Sequence, residues 1–427
     1  MIMFGAIVVI ILLLGSVFLG ILPGVRPQET TVKLEFWGLY DDQAVWRSIF
    51  DAYEKENPGT SFNYVKMNPD TYESDLLEAL ASGRNPDIIM FHSSWLPKHG
   101  NKISPLSQTL MTLRQFQETF PDVAVTDFVT QSQIYALPIW TDALAMFYNK
   151  DLFNTANVAT PPKTWDEFIK AVQKLSSKDK SGNLVKSGAA LGTADNINHA
   201  ADILSLLMIQ SGAKMISDDG TEAAFDREVN IGGSTFLPGE SALRFYTDFS
   251  SPKSGAYSWN NSQINSLDAF TSGKTAIIFE YALSIPKVKE KNPNLQLGIA
   301  AMPQLSGAAK TVNYADFWGY SVPLASKNSE AAWKFLVYLT GKNTNKYFSN
   351  AVNRPASRRD VLAEEISVSD LGVFAEEILS SANWYRVDPG KTEKIFKDMI
   401  SAVVLGNAKP AEALRDAADK VTFLMKK

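Results

Sequence analysis

The sequence predicts an α/β protein of two lobes, each a sheet flanked by helices. Three observations carry this. Strand-like and helix-like segments alternate from residue 32 onward, and the alternation resumes at residue 164. The length of 427 residues exceeds what one ordinary core organises. Apolar residues make up 45% and charged residues 20%, the balance of a globular chain.

The first strand is "TVKLEFWGL", where Val32, Leu34 and Phe36 alternate onto one face. Asp41 and Asp42 follow as candidate caps for the helix "QAVWRSIFDAYEKENPG". Its Val45, Ile49, Phe50 and Tyr53 share a face, and Asn57-Pro58-Gly59 stops it. "SFNYVKM" is a second strand, "TYESDLLEALASGRNPD" a helix closed by Gly83 and Pro86, and "DIIMF" a wholly apolar strand. This β-α-β-α-β order predicts a parallel, doubly wound sheet. Later, "TWDEFIKAVQKLSS" starts a helix at Thr164, with Glu167 at capping-box spacing. "HAADILSLLMIQSG" is an apolar helix ending at Gly212, and "SLDAFTSGKTAIIFEY" is a helix, a turn and a strand. "LQLGIAAMP" and "WGYSVPL" are strands, and "SEAAWKFLVYLTG" and "PAEALRDAADKVTFLM" are helices. A second parallel sheet is expected from them.

Composition excludes several functions. The net charge of −5 comes with no basic stripe, which argues against nucleic acid as a partner. The absence of cysteine excludes disulfides, thiolate metal sites, cysteine nucleophiles and lipid attachment through an N-terminal cysteine. Residues 2–22, "IMFGAIVVIILLLGSVFLGIL", carry no charge and are long enough to span a bilayer as a helix; Pro23, Gly24 and Pro27 end the stretch. A cleaved signal peptide is the alternative, but no basic region precedes the stretch and no A-x-A site follows it. An uncleaved anchor places the protein on the outer face of the cytoplasmic membrane; cleavage would leave it secreted or periplasmic. Arg26 and Lys33 oppose this orientation on the positive-inside rule alone.

The catalytic signatures H-E-x-x-H, G-x-S-x-G, G-x-x-x-x-G-K-[ST] and G-x-G-x-x-G are absent. The three histidines, His92, His99 and His199, show no helical ligand spacing. No metal, cofactor or catalytic residue is expected. What does recur is an aromatic beside polar residues just past a strand, where open parallel sheets bind ligands. "KLEF" leads into Trp37 and Tyr40, and "DIIMF" into His92, Ser93, Ser94 and Trp95. "PI" leads into Trp140, Thr141 and Asp142, and "TAIIF" into Glu280 and Tyr281. "SSANWYRV" supplies Trp384, Tyr385 and Arg386. An aromatic face matches the C–H face of a sugar ring, and polar neighbours pair with its hydroxyls. Trp46, Trp165 and Trp333 lie inside helices and are expected in the core.

In order and spacing, these segments resemble the extracellular solute-binding proteins of ABC importers, specifically the sugar-binding class typified by maltose-binding protein. The resemblance runs from residue 32 to the end. "LASGRNPDIIMF" is similar to that class's A-x-G-x-x-P-D helix-turn-strand, and "ALPIWTDALAMFYNKDLF" to its first crossing between lobes. "PPKTWDEF", "FTSGKTAIIFEYALS" and "SANWYRVDPGKTEKIFKDMISAVVLGNAKPAEALRDAADKV" match in turn.

The resemblance implies a periplasmic-binding-protein-like fold with a ligand cleft between lobes. After an N-terminal segment of 1–30, the first lobe is expected at 31–140 with 314–352, and the second at 141–313 with 353–427. It implies a monomer that closes on a carbohydrate and delivers it to ABC permease transmembrane subunits. The ligand contacts it implies are Trp37, Tyr40, His92, Ser93, Trp95, Trp140, Asp142, Tyr281, Asn313, Trp318, Trp384 and Arg386, and Asn198 and His199 begin a second-lobe helix that can also face the cleft. Two alternatives stay open: a membrane-anchored glycoside hydrolase, which needs a close carboxylate pair, and a ligand sensor on the same fold. Arg354 and Arg386 leave room for an acidic sugar, while the aromatics favour a neutral one.

Overall fold

A computed structural model describes residues 31–426 apart from Asn85, Gly232 and Val368. The expected N-terminal anchor, residues 1–30, lies outside the described residues. Among the described residues no helix is long and apolar enough to cross a membrane.

Strand β1 (Val32–Gly38) pairs in parallel with β2 (Thr60–Lys66), and helix α1 (Gln43–Glu56) connects them. α1 buries Trp46, Ile49, Phe50 and Tyr53, and the Trp46 ring sits 4.7 Å from that of Phe36 on β1. α2 (Tyr72–Ser82) returns the chain to β3 (Ile89–His92), which meets β1 in parallel through Phe36 and Ile88. α3 (Asp122–Phe128) follows, then the first crossing, which enters β4 (Ala145–Asn149) in the second lobe. There α4 (Trp165–Leu175), α5 (Ala200–Gln210), β5 (Ile277–Glu280) and β6 (Leu297–Ala300) complete most of the lobe. Thr164 caps α4 by accepting from the Glu167 N–H, but Glu167 bonds the Lys163 N–H, so the reciprocal half of the expected capping box is displaced by one residue.

The chain recrosses at β7 (Asn313–Tyr314) into β8 (Trp318–Pro323), then α6 (Ser329–Leu339) and α7 (Lys342–Val352). α8 (Ser369–Glu377) leads to the third crossing at β9 (Ser381–Ala382), and α9 (Pro389–Val404) and α10 (Pro410–Met425) finish on the second lobe.

The expected parallel order holds for β2, β1 and β3, and then β8 runs antiparallel beside β3, with Trp318 opposite His92. The second-lobe sheet, β5-β4-β6, is antiparallel throughout. The reason is topological. β4 and β8 each arrive from the other lobe, so no local crossover helix sets their direction, and periodicity within a segment carries no information about distant neighbours. Gly319 on β8 is required by close approach: a Cβ there would meet Leu137 O at 2.7 Å and the Phe128 ring at 2.9 Å.

Two separate cores form. One gathers Leu34 to Ala143 and Ala315 to Leu362 with Ala375 and Ile378; the other gathers Leu144 to Tyr314 and Leu371, Phe374 and Trp384 to Val421. The changes fall at Ala143/Leu144, at Tyr314/Ala315 and beyond Leu362, where the sequence had suggested 140/141, 313/314 and 352/353.

The first two crossings hydrogen-bond to each other. Leu144 N–H donates to Tyr314 O at 3.0 Å, and Asp316 N–H donates to Asp142 O at 3.1 Å. β7 also pairs in parallel with β9, so the three passages lie side by side. Two residues expected at the ligand are spent on this junction. Asp142 is buried and accepts the N–H groups of Ala143 (3.0 Å), Ala282 (2.9 Å) and Leu283 (3.1 Å), capping the turn Ala282–Ser284. Asn313 is fully buried and donates to Leu144 O at 2.7 Å and to Glu377 Oε2 at 2.6 Å. Glu377 also accepts the Met302 N–H at 3.2 Å.

Asp41 does not cap α1. Its carboxylate meets Arg354 at 3.0 Å and 2.9 Å, both side chains being more than nine-tenths buried. Asp42 stands at the cap position without a capping bond and pairs with Lys66. The Arg354 guanidinium lies 4.7 Å from the centre of the Trp140 ring. Arg354 is thereby paired with Asp41 and buried, away from the three cavities between the lobes.

Arg354→Leu leaves Asp41 charged and buried, and is expected to cost about 3–5 kcal/mol in urea unfolding. A loss under about 1 kcal/mol, the range of an exposed pair, would show that Asp41 reaches solvent. Burial pushes the Glu377 carboxyl up to about 7, against the opposing bonds from Met302 and Asn313. A carboxyl raised in the folded state stabilises the fold below its unfolded value of 4.5 and withdraws that support as pH rises through about 7. Glu377→Gln is expected to flatten the fall in stability across this window by up to about 1.4 kcal/mol per pH unit; superimposable pH profiles would rule the residue out.

Candidate ligand-binding site between the lobes

Three adjoining cavities of about 270, 210 and 400 Å³ lie where the lobes face each other, and Ser94 lines all three. A groove of about 440 Å³ between α9 and α10 is farther out, lined by Lys391, Lys394, Phe423 and neighbours, and none of the expected contacts reaches it.

The first-lobe wall grows from the end of β3. His92 Nδ1 lies 2.7 Å from Ser94 Oγ, and Nε2 lies 2.9 Å from Asp316 Oδ1 on the second crossing. Trp95 stacks on Tyr72 at 5.8 Å and meets Trp318 edge-on at 5.3 Å. Burial pushes the Asp316 carboxyl up, but His92 and Arg386 outweigh it and hold the group below its usual range. Asp127, in the last turn of α3, has the Asn383 amide as partner at 2.7 Å, and burial pushes it up to about 8.

The second-lobe wall starts at His199, whose φ of 58° places it in the left-handed region just ahead of α5. His199 Nε2 lies 3.1 Å from Glu280 Oε2, while Asn198 and Ser284 donate to the same carboxylate at 2.8 and 2.7 Å. Burial disfavours the imidazolium, yet Glu280 and Asp202 raise the His199 pKa to about 9, so the pair is ionic. Asp202 accepts from Tyr281 OH at 3.1 Å, and its nearest cations, His199 and Arg386, are each 3.8 Å away. Arg386 lies between the rings of Tyr314 (5.8 Å) and Trp384 (5.9 Å).

Four buried polar atoms in this region make no hydrogen bond within the protein: Ser93 Oγ, Tyr314 OH, Asn383 Oδ1 and Arg386 Nε. Buried polar groups are nearly always satisfied, so a cluster of orphans marks a place where something else supplies the partners.

Of the expected contacts, His92, Ser93, Trp95, Trp318, Trp384 and Arg386 line these cavities. Tyr40 is half-buried between Trp140 and Trp318; burial and Asp316 push its hydroxyl up to about 12. Trp37 and Trp140 are buried in the first core, Trp37 donating to Glu35 at 2.7 Å and Trp140 packing on Phe348. Tyr281 is buried behind His199 and acts through Asp202. Asp142 and Asn313 hold the crossings, as described above. The sequence reading did not single out Asp127, Asp202, Asp316 or Asn383. Asp316 had a usable signal, a carboxylate within the return crossing "VNYADFWGY"; Asp127 and Asp202 sit in ordinary helical patterns that gave none.

Two contacts join the lobes across the cavities. Lys98 Nζ meets Glu73 at 2.8 Å and Asp388, the cap of α9, at 3.4 Å, and Asn383 meets Asp127 as above. Lys98→Met is expected to shift the lobes apart and to weaken the salt dependence of their separation, by no more than about 1 kcal/mol. Distances between spin labels on the two lobes measure this, and an unchanged distribution at low and high salt would show that Lys98 is no latch.

The family described as bacterial extracellular solute-binding protein matches residues 37–346. A Brucella abortus protein described as a binding protein is 28% identical over 395 residues, 90% of each chain. The multiple sugar-binding protein of Streptococcus mutans is 21% identical over 347 residues, 80% of this chain and 79% of that one. Among solved structures, the sugar-binding protein MalE of Xanthomonas citri superimposes with a TM-score of 0.75 at 18% identity, covering 92% of this chain and 98% of the other.

Proposed function

We propose that this chain, which belongs to the bacterial extracellular solute-binding protein family, captures a carbohydrate between its lobes and presents it to the membrane subunits of an ABC permease. The observation that carries this reading is the cluster of orphaned polar atoms, Ser93 Oγ, Asn383 Oδ1, Tyr314 OH and Arg386 Nε, beside the rings of Trp95, Trp318 and Trp384. A sugar meets both demands at once. Its C–H face lies on an aromatic ring, and its hydroxyls both donate and accept. The name of the Streptococcus relative supports the same class.

Binding in this reading is non-covalent. The ligand bridges Ser93 and Trp95 on the first lobe with Trp384 and Arg386 on the second, so it stabilises the closed arrangement by its preference for that state. Two of the acidic side chains here are engaged in holding the site. Asp316 is tied to His92, and Glu280 to His199, Asn198 and Ser284. Asn313, Asp142 and Glu377 act as hinge groups in this scheme, and lobe motion occurs about the three crossings. We assign the protein to the space outside the cytoplasm, with the uncharged stretch 2–22 as its tether.

Trp384→Ala is expected to weaken carbohydrate binding about ten-fold or more, on the order of 1–3 kcal/mol for the loss of an aromatic stacking partner. A thermal-shift screen of sugars and sugar acids first identifies a binder through its stabilisation by mass action. Calorimetric titration of parent and variant then gives the ratio, and an unchanged Kd would remove Trp384 from the site.

A further inference from the structure

The charges at the chamber do not balance in a way that suits a neutral sugar. Asp316 is hydrogen-bonded to His92, and Glu280 pairs with His199. That leaves Asp202 and Asp127 with no cation at hydrogen-bond distance: His199 and Arg386 each stand 3.8 Å from Asp202, and Asp127 bonds the Asn383 amide. The Asp202 contact to Arg386 is 3.8 Å, too long for a hydrogen bond, and Asp127 is hydrogen-bonded to a neutral amide. The α5 N-terminus offsets part of the Asp202 charge, but Asp127 stands in the last turn of α3, where the helix dipole adds to the negative potential. Burial pushes both carboxyls upward, as it does wherever a carboxylate lacks a close cation.

The orphaned atoms are arranged to match. Asn383 Oδ1 is an acceptor and Ser93 Oγ a hydroxyl that both donates and accepts, and both residues line the cavity of Asp127, whereas Arg386 Nε is a donor on the side chain whose Nη1 lies 3.8 Å from Asp202. Ser93 is 2% exposed and the Arg386 side chain 10% exposed, so each is walled in with one polar atom unused.

We propose that the carbohydrate held here carries a protonated amine next to a hydroxyl, an amino sugar rather than a neutral or acidic one. The proposal rests on the carbohydrate reading above. An ammonium donates three hydrogen bonds and supplies the positive charge that favours the ionised form of these carboxyls against burial; the adjacent hydroxyl accepts from Arg386 Nε. A neutral ring would leave both carboxyls without a close cation. An acidic sugar would oppose their ionisation further.

The test titrates the full-length protein by calorimetry with glucosamine, N-acetylglucosamine and glucose, each also as its β-1,4-linked dimer, and with spermidine as an amine that is not a sugar. The expected result is binding of the glucosamine forms about ten-fold or more tighter than their N-acetylated and neutral counterparts. Asp202→Asn, and independently Asp127→Asn, are expected to shrink the ratio of glucosamine to N-acetylglucosamine affinity; thermal melts verify that each variant folds. Equal or tighter binding of the neutral or N-acetylated forms overturns the amine inference and leaves the carbohydrate reading standing. A preference that survives in both folded variants also overturns it, since the carboxylates then do not read the amine. Binding of spermidine with no sugar bound overturns the carbohydrate reading and this inference with it, as does silence from every probe.

Discussion

Everything in this fold depends on how three chain crossings satisfy their polar groups in a place that is largely closed to water. Asn313 and Asp142 do most of this. One side chain joins the first and second crossings to Glu377 at the approach to the third; the other gathers the N–H of its neighbour Ala143 and two backbone N–H groups that begin a turn in the second lobe. Leaving any of these groups unpaired would cost more than the bonds themselves contribute. The junction therefore has one well-defined arrangement, and the walls of the chamber are carried into register by it. Two independent cores then meet at a thin polar seam, which is the structural condition for lobes that move as units.

The chamber is built on the same principle with the opposite outcome. At the crossings, polar atoms are matched within the protein; at the facing walls, Ser93, Tyr314, Asn383 and Arg386 keep atoms unmatched. The aromatic rings around them are fixed by their own packing, Trp95 on Tyr72 and Trp384 on Phe396, so little ordering remains for a ligand to impose. Charge follows a related logic. His199 pairs with Glu280, His92 holds Asp316 and Arg386 is shared, which leaves Asp127 and Asp202 with no cation at hydrogen-bond distance.

Reading strand exits for aromatics leads to the seam where the strand ends there. β3 delivers His92, Ser93 and Trp95 to the seam, and "SSANWYRV" delivers Trp384 and Arg386. The same rule also picks Trp37, Trp140 and Tyr281, which are buried in the cores and line none of the three cavities. Sequence cannot separate the two cases, because an aromatic one or two residues past a strand has the same local pattern whichever way its side chain turns. Asp142 and Asn313 stand out in sequence because a conspicuous polar residue in an apolar crossing must bond something; the fold shows Asp142 bonding backbone N–H groups and Asn313 bonding Leu144 O and Glu377. Asp127 and Asp202 carried no signal, since each reads as a helix-surface acid until another lobe covers it.

The sequence by itself determined many of the elements, their order, the division into two lobes and the exclusion of cysteine chemistry. Those properties follow from periodicity, caps, breakers and composition, all of which are local or additive. Tertiary structure alone decided that β8 runs antiparallel to β3, that the second sheet is wholly antiparallel, and that Arg354 is consumed by Asp41 while Arg386 stays at the seam. Each of these pairs residues roughly 130 to 310 positions apart. Contacts at that separation are set by which cores close and which side chains they bury, and no pattern within a segment encodes them.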